Sequence, residues 1–147
     1  MATVKPGQAW ELFFTTAARL TAAIEAELKA RCKLSMPEYS VLLCASRAGQ
    51  AGIRLGTLAH QVVFSPSRLT HTLKRLSDRG LIKRLPCESD RRGGLIALTD
   101  EGSTFFTEAA NVHRVLVRRL ALDGMTDDEI DQIMSFCTRV AGRLDAE

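Results

Sequence analysis

Residues 65–102 constrain the fold more than any other segment, because their pattern changes from helical to hairpin-like. Ser65 and Pro66 are typical of a helix start, and the residues that follow place Leu69, Leu73 and Leu76 on one helical face. Two short apolar runs, residues 81–86 and 95–99, then flank the polar sequence CESDRRGG, which predicts a β-hairpin. The segment therefore predicts an amphipathic helix that leads directly into a two-stranded ribbon.

Positive charge is concentrated in the same segment. Residues 65–92 contain eight Lys or Arg and three Asp or Glu, a net charge of +5, whereas the whole chain carries only +3. A basic patch on a helix and a hairpin is suited to the phosphate backbone of DNA. From charge alone, the alternative is an arginine-rich surface that only faces water.

Amphipathic helices are predicted on both sides of this segment. Apolar residues recur at steps of three and four between Trp10 and Leu28 and again between Ile130 and Leu144, and Thr126 with Glu129 forms a capping-box pattern. Ser35 begins another helix, with Glu38 three residues later, and glycines end it. Further along, residues 53–54 suit a short strand, residues 55–62 a short helix, and a helix carrying Phe105 to Leu120 follows the hairpin.

These elements predict a mainly α fold with a small β-hairpin wing (α+β), namely a winged helix-turn-helix flanked by N- and C-terminal dimerisation helices. The expected divisions are 1–34 for the N-terminal dimerisation helix, 35–102 for the DNA-binding domain and 103–147 for the C-terminal dimerisation helices. The terminal apolar stripes support a dimer, since a chain of 147 residues has little surface to bury them within one subunit.

Other classes of protein lack support in the sequence. No apolar run approaches the roughly 18 residues needed to cross a bilayer, and no secretory signal begins the chain, so a cytoplasmic protein is expected. The four cysteines and three histidines have no metal-ligand spacing, and no disulfide framework or cofactor is expected. A nucleophile–base set and a Gly-rich phosphate loop are also missing, which argues against an enzyme.

The outer face of the helix after Pro66 supplies the candidate DNA contacts. Hydroxyl groups of Ser65, Ser67 and Thr70 near a helix N-terminus suit phosphate oxygens, and Arg68 suits a bidentate contact with guanine. His71 suits either role. Lys74 and Arg75 lie one turn further along and are expected to meet the DNA backbone.

The hairpin tip carries Asp90, Arg91 and Arg92. An arginine on a two-stranded ribbon is able to enter a narrow, A·T-rich minor groove, where negative potential is high. The carboxylate of Asp90 is expected to orient an arginine or the turn backbone rather than to contact DNA itself. The alternative is that this loop is charged only because it faces solvent, with no role in DNA binding.

The run from Leu55 to Gly102 resembles the multiple-antibiotic-resistance regulator (MarR) family, in which D-x-R at the wing tip is followed by an apolar strand and L-T-x-x-G. In this chain the pattern is formed by Asp90, Arg92, Leu98, Thr99 and Gly102. The long flanking helices fit as well, so the resemblance covers nearly the whole chain.

The resemblance implies a transcriptional regulator, more often a repressor, that binds a palindromic operator in double-stranded DNA as a homodimer with interlocked terminal helices. It implies recognition-helix roles for five residues and a minor-groove role for Arg92; the five are Ser65, Ser67, Arg68, Thr70 and His71. Two-fold symmetry predicts half-sites about 34–36 Å apart.

Family members commonly respond to phenolic or other small ligands or to oxidation, and the sequence leaves open whether an effector exists. A cysteine early in the first helix, typical of the peroxide-sensing branch, is missing, since the first cysteine is Cys32. Cys87 lies near Arg84 and Arg91 in sequence, which keeps a thiol-based redox-sensing regulator as one alternative. Another alternative is a winged-helix module that uses the same basic face to bind an acidic protein partner.

Overall fold

A computed structural model describes residues 5–62, 64–89 and 93–147. The chain divides into two compact units, Met1–Arg114 and Val115–Glu147. The functional division at residues 34 and 102 stays a prediction. Among the described residues, no helix is both long and apolar enough to cross a membrane.

The first unit is mainly helical with one small sheet, as the sequence predicted. Its elements, in chain order, are α1 (Pro6–Cys32), α2 (Met36–Ala48), a 3-10 turn (Gly49–Ala51), β1 (Ile53–Arg54), α3 (Leu55–Val62), α4 (Pro66–Asp78), β2 (Ile82–Leu85), β3 (Leu95–Leu98) and α5 (Asp100–Val117), whose last residues extend past Arg114.

Helix starts and ends follow the local signals in the sequence. The Ser35 side chain accepts from the Glu38 backbone N–H, and the Glu38 carboxylate accepts from the Ser35 backbone N–H, which forms a capping box at the predicted start of α2. Helix α4 ends at Asp78 with Arg79 as its C-cap, and the next residue, Gly80, adopts a φ of +70° that favours glycine. That reversal directs the chain into β2.

Three antiparallel strands form the sheet in the order β1-β3-β2. Arg84 of β2 lies opposite Ile96 of β3, and Ile96 also pairs with Ile53 of β1. The wing hairpin is therefore hydrogen-bonded to the strand that precedes α3.

One apolar core joins the sheet to α2, α3 and α4. Leu42, Leu58, Leu76 and Ile96 are fully buried there. By contrast, no residue of α1 before Ile24 is buried, and only Ile24 and Leu28 of that helix are. The apolar stripe predicted on α1 is thus buried at its C-terminal part and exposed at its N-terminal part.

The second unit contains a π-helical turn (Arg118–Leu122) and α6 (Asp127–Leu144). Thr126 caps α6 and forms the predicted capping box with Glu129. No residue of α6 is buried, and its large apolar side chains Ile130, Ile133 and Met134 are exposed.

Candidate nucleic-acid interface

Helix α4 has a strongly amphipathic surface. Leu69, Thr72, Leu73 and Leu76 are buried on its inner face, as the helical spacing predicted. The Thr72 hydroxyl donates to the Arg68 carbonyl at 2.8 Å, so the one polar group on this face is satisfied within the helix. Four buried side chains in thirteen residues fix the orientation of the outer face.

The start of α4 is organised by hydroxyl groups. Ser65 is the N-cap, and its Oγ accepts from the Arg68 backbone N–H at 3.4 Å. Ser65 and Ser67 Oγ atoms lie 3.4 Å apart, and Thr70 Oγ1 donates to the Pro66 carbonyl at 2.9 Å. Because backbone N–H groups at a helix start favour anions, this hydroxyl cluster lies where a phosphate would be stabilised.

All the candidate contact residues of α4 are exposed on one surface, namely Ser65, Ser67, Arg68, Thr70, His71, Lys74 and Arg75. The Arg68 guanidinium lies 5.2 Å from the centre of the Phe64 ring, a cation–π distance. Lys74 Nζ lies 2.7 Å from Asp78 Oδ2, and both side chains are well exposed. An ion pair of this kind contributes little stability, so Lys74 is able to exchange it for a phosphate.

Arg75 differs from its neighbours because its partner is buried. Its Nε lies 3.1 Å from Glu38 Oε1, and the Glu38 side chain is 3% exposed while that of Arg75 is 60% exposed. This contact joins α4 to α2 across 37 positions of sequence.

Two basic residues of β2 add to the surface and were not among the contacts predicted from sequence. Lys83 and Arg84 are exposed and line a groove of about 470 Å³ together with Thr70, Lys74 and Ser77 of α4. Neighbouring strand residues normally point to opposite faces, which would place only one of them at the surface. Lys83 and Arg84 were already counted in the positive segment, residues 65–92, and that charge count was the only sequence signal that could have indicated them as DNA contacts.

Asp90, Arg91 and Arg92 at the tip of the wing lie outside the described residues. On the β2 side of the tip, the last described residue is Ser89, whose Oγ accepts from Arg54 Nη2 at 3.1 Å. Arg54 belongs to β1, so this bond adds a side-chain link between the wing and the strand before α3.

The L-T-x-x-G motif closes the base of the hairpin. Thr99 Oγ1 donates to the Gly80 carbonyl at 2.6 Å and accepts from the Gly102 N–H at 2.9 Å. The Thr99 N–H donates to the Leu81 carbonyl at 3.1 Å. One threonine therefore joins the end of α4, the end of β3 and the start of α5, which explains the residue types in the motif.

The cysteines and histidines do not assemble a metal centre in the described ranges, where no group of three or more His, Cys, Asp or Glu could hold an ion. Burial raises the pKa of the Cys32 and Cys44 thiols. Such thiols form the reactive thiolate less readily. Cys87 is partly buried at the wing, with its Sγ 3.2 Å from Ser89 Oγ.

A leucine-anchored helix with a basic outer face, followed by a β-hairpin wing that pairs with the strand before α3, defines a winged helix-turn-helix DNA-binding protein. Comparison with known proteins agrees. The family model described as MarR family matches residues 34–93.

Relatives extend the match beyond the winged domain. The HTH-type transcriptional regulator PecS of Dickeya dadantii (strain 3937) is 31% identical over 113 residues, which cover 76% of this chain and 68% of PecS. The MarR family regulator Sco3205 from Streptomyces coelicolor, solved in complex with DNA, has 26% identity and a TM-score of 0.89 and covers 98% of this chain and 94% of its own. CouR from Rhodococcus jostii RHA1, solved bound to p-coumaroyl-CoA, has 27% identity and a TM-score of 0.77, with 88% and 89% coverage.

The chain belongs to the MarR family. It is a DNA-binding transcriptional regulator, as the sequence predicted, and neither the protein-interaction module nor the redox-sensing alternative is favoured.

Proposed function

We propose that the protein represses transcription from a palindromic operator, which it binds as a homodimer with α4 in the major groove and the wing in the adjacent minor groove. The outer face of α4 carries this proposal, because it combines hydroxyl groups at the helix start with exposed cations further along. Repression would follow when the operator overlaps a promoter. The protein would act in the cytoplasm, and it would have no enzymatic activity.

Each part of the surface has a distinct role in this proposal. Ser65, Ser67 and Thr70 hold a phosphate at the start of α4, while Arg68 and His71 contact base edges. Lys74 contacts the phosphate backbone. Lys83 and Arg84 extend that contact along β2, because they share a groove with Lys74. Arg92 enters the minor groove and Asp90 orients it, with Arg91 on the backbone nearby.

Substitution of base-contacting and phosphate-contacting residues tests these roles. Arg68→Ala should weaken operator binding by about 1–3 kcal/mol and relax the sequence preference, whereas Lys83→Ala should weaken binding to all duplexes alike and reduce the salt slope by about 1. Arg92→Ala should also cost about 1–3 kcal/mol. The assay is a gel-shift titration at several salt concentrations.

Arg31→Ala serves as the matched control, because Arg31 is an exposed arginine outside the basic segment and pairs with Glu27 on its own helix. It should bind like the unmodified protein. If Arg68→Ala and Arg92→Ala both retain full operator affinity, the proposed interface is wrong.

Exposed apolar side chains support the homodimer. On α1, Trp10 is 55%, Leu12 70% and Phe14 62% exposed, and on α6 Met134 is 61% exposed. Apolar surface on this scale normally marks an interface. A second copy of the chain is the proposed occupant, since a two-fold dimer presents two α4 helices to the two half-sites of a palindrome.

Sedimentation equilibrium tests the dimer. Phe14→Asp should shift the protein toward monomer and weaken operator binding, while Glu11→Ala, an exposed polar change on the same helix, should leave the dimer intact. A monomeric unmodified protein that still selects a palindrome would contradict this part of the proposal.

We also propose a small-molecule effector with an apolar body and a negative charge. A cleft of about 730 Å³ lies between α2, β1 and α3, with Leu43, Ile53 and Val62 lining its apolar part and Arg47 and Arg54 its cationic part. The p-coumaroyl-CoA bound to the relative CouR has that chemistry.

Thermal shift and operator release with p-coumarate and p-coumaroyl-CoA as probes test this effector class. Binding by the unmodified protein and loss of binding in Arg47→Ala would support the cleft. Equal binding by both proteins would place the effector elsewhere, and no response to either anion would contradict the proposed class.

A further inference from the structure

The junction between α1 and α2, residues 32–38, contacts the C-terminal end of α4 through two arginines. We refer to these residues as the corner. Glu38 at one end of the corner is 2% exposed. Its Oε2 accepts from the Ser35 N–H at 2.7 Å, and its Oε1 accepts from Arg75 Nε at 3.1 Å.

The contact between Arg75 and Glu38 is strongly constrained. Withdrawing Arg75 would leave a buried carboxylate without its ionic partner, and an unpaired buried charge is costly. Lys74, one residue earlier, gives up only an exposed carboxylate when it turns toward DNA. Two neighbouring cations of α4 therefore differ in their freedom to reach a phosphate.

Arg79 makes the second contact, at the other end of the corner. Its Nη1 donates to the Lys33 carbonyl at 3.0 Å and its Nη2 to the Cys32 carbonyl at 3.3 Å. These carbonyls belong to the C-terminal end of α1, where the helix dipole favours a cation. The guanidinium also lies 5.1 Å from the centre of the Phe105 ring of α5.

The corner is itself held to α1. Glu25 Oε2 accepts from the Met36 N–H at 2.9 Å, and Lys33 adopts a left-handed φ of +56° that turns the chain between the helices. A rotation of α4 about its N-terminus would break the contacts of Arg75 and Arg79 together. These contacts therefore link the end of α4 to the corner and, through the corner, to α1.

We propose that Arg75 and Arg79 are positioning residues, which orient α4 by holding its last turn against the corner and do not contact the phosphate backbone. This inference rests on the proposed function, because α4 must enter a groove for its orientation to matter. It assigns to Arg75 a different role from the phosphate contact that its sequence position predicted. Glu38, which contacts no DNA in this proposal, then influences operator affinity through Arg75.

Salt dependence distinguishes a positioning arginine from one that contacts phosphate. Each phosphate contact contributes about 0.9 to the slope of log affinity against log salt. Two duplexes are used as probes, one selected from a random-sequence pool by the unmodified protein and one scrambled version of equal composition. Affinities are measured for Arg75→Ala, Arg79→Ala and Glu38→Gln, with Lys74→Ala as the matched phosphate-contact control.

Arg75→Ala, Arg79→Ala and Glu38→Gln should each lower affinity for the selected duplex about 2- to 30-fold, the range typical of indirect coupling, with an unchanged salt slope. Their affinity for the scrambled duplex should stay the same. Lys74→Ala should reduce affinity for both duplexes and lower the slope by about 0.9. The Arg75→Ala and Glu38→Gln double variant should resemble Glu38→Gln in its affinity, because both lack the ion pair and neither leaves a buried charge unpaired.

Hydrogen exchange in the absence of DNA provides an independent measurement. The amides at the end of α4, residues 77–81, should exchange faster in Arg75→Ala and Glu38→Gln than in Lys74→Ala. If Arg75→Ala does not fold because its buried carboxylate is unpaired, the double variant replaces it, since the glutamine side chain that it introduces carries no charge.

Two results would overturn the inference: a salt slope that falls in Arg75→Ala as it does in Lys74→Ala, or full operator affinity in Glu38→Gln. Failure of the proposed function gives a different pattern. In that case the unmodified protein would select no sequence at all, although the exchange measurement would still report on the corner.

Discussion

Gly102 should be the least replaceable glycine near the wing, and Gly102→Ala tests how closely α5 packs against the start of β2. A Cβ atom at this position would lie 2.8 Å from the carbonyl carbon and 3.1 Å from the Cα of Leu81, and closer still to the carbonyl oxygen. These are backbone atoms, so no side chain is able to rotate away. The first turn of α5 or the end of the Leu81 peptide must move.

The expected cost follows from two effects. Forcing an extra methyl group into a packed site typically costs about 1–3 kcal/mol. Movement of α5 also weakens the 2.9 Å bond from the Gly102 N–H to Thr99 Oγ1, and loss of such a cap costs about 0.5–2 kcal/mol. Alanine recovers about 1 kcal/mol from its higher helix propensity. The free energy of unfolding should therefore fall by about 0.5–4 kcal/mol.

Urea unfolding at fixed protein concentration measures this change, since the stability of an oligomer depends on concentration. Gly56→Ala is the matched control, because Gly56 also lies in a helix and its added Cβ would meet nothing within 4 Å. That variant should be as stable as the unmodified protein or more stable by up to about 1 kcal/mol. If Gly102→Ala unfolds at the same urea concentration as Gly56→Ala, the close approach at Leu81 is wrong.

Three further predictions concern stability. Leu76→Ala should lower the free energy of unfolding by about 2–5 kcal/mol, because Leu76 is fully buried, and a loss below about 1 kcal/mol in urea unfolding would contradict its place in the core. Thr126→Ala should lower it by about 0.5–2 kcal/mol through loss of the α6 cap, whereas Thr126→Ser should retain most of the stability. Burial lowers the pKa of His113, which stacks on Tyr39 at a centroid distance of 4.6 Å. Because the unfolded chain binds a proton on His113 more readily than the folded chain does, the contribution of His113 to stability should be fully present above about pH 6.5 and should be lost as the pH falls below that value. In thermal melts from about pH 7 to 5, His113→Phe should therefore show a smaller decline in stability than the unmodified protein.

Local signals made most of the fold predictable. Ser35 with Glu38, Ser65 with Pro66, and Thr126 with Glu129 mark helix starts through bonds that span only three residues, and all three helices begin as expected. The leucine stripe of α4 was equally clear, because a helix places such residues on one face whatever surrounds it.

Contacts between distant segments could not be derived in the same way. Nothing near Arg75 in sequence indicates that Glu38 is its partner, because the pairing depends on how α2 packs against α4. The exposure of both Lys83 and Arg84 depends similarly on what covers each face of β2. The tight space around Gly102 is set by the path of Leu81 and has no signature beyond the glycine itself.

Strand β1 contains only two residues, yet it pairs with β3 through Ile53 opposite Ile96 and Arg54 opposite Leu95. This pairing means that the wing is a continuation of the sheet that also supports α3. In the proposed DNA complex, this pairing would help to set the length along the DNA axis that separates α4 in the major groove from the wing in the adjacent minor groove. Exchanging the hairpin for that of another regulator would change this length unless residues 53–54 were exchanged as well.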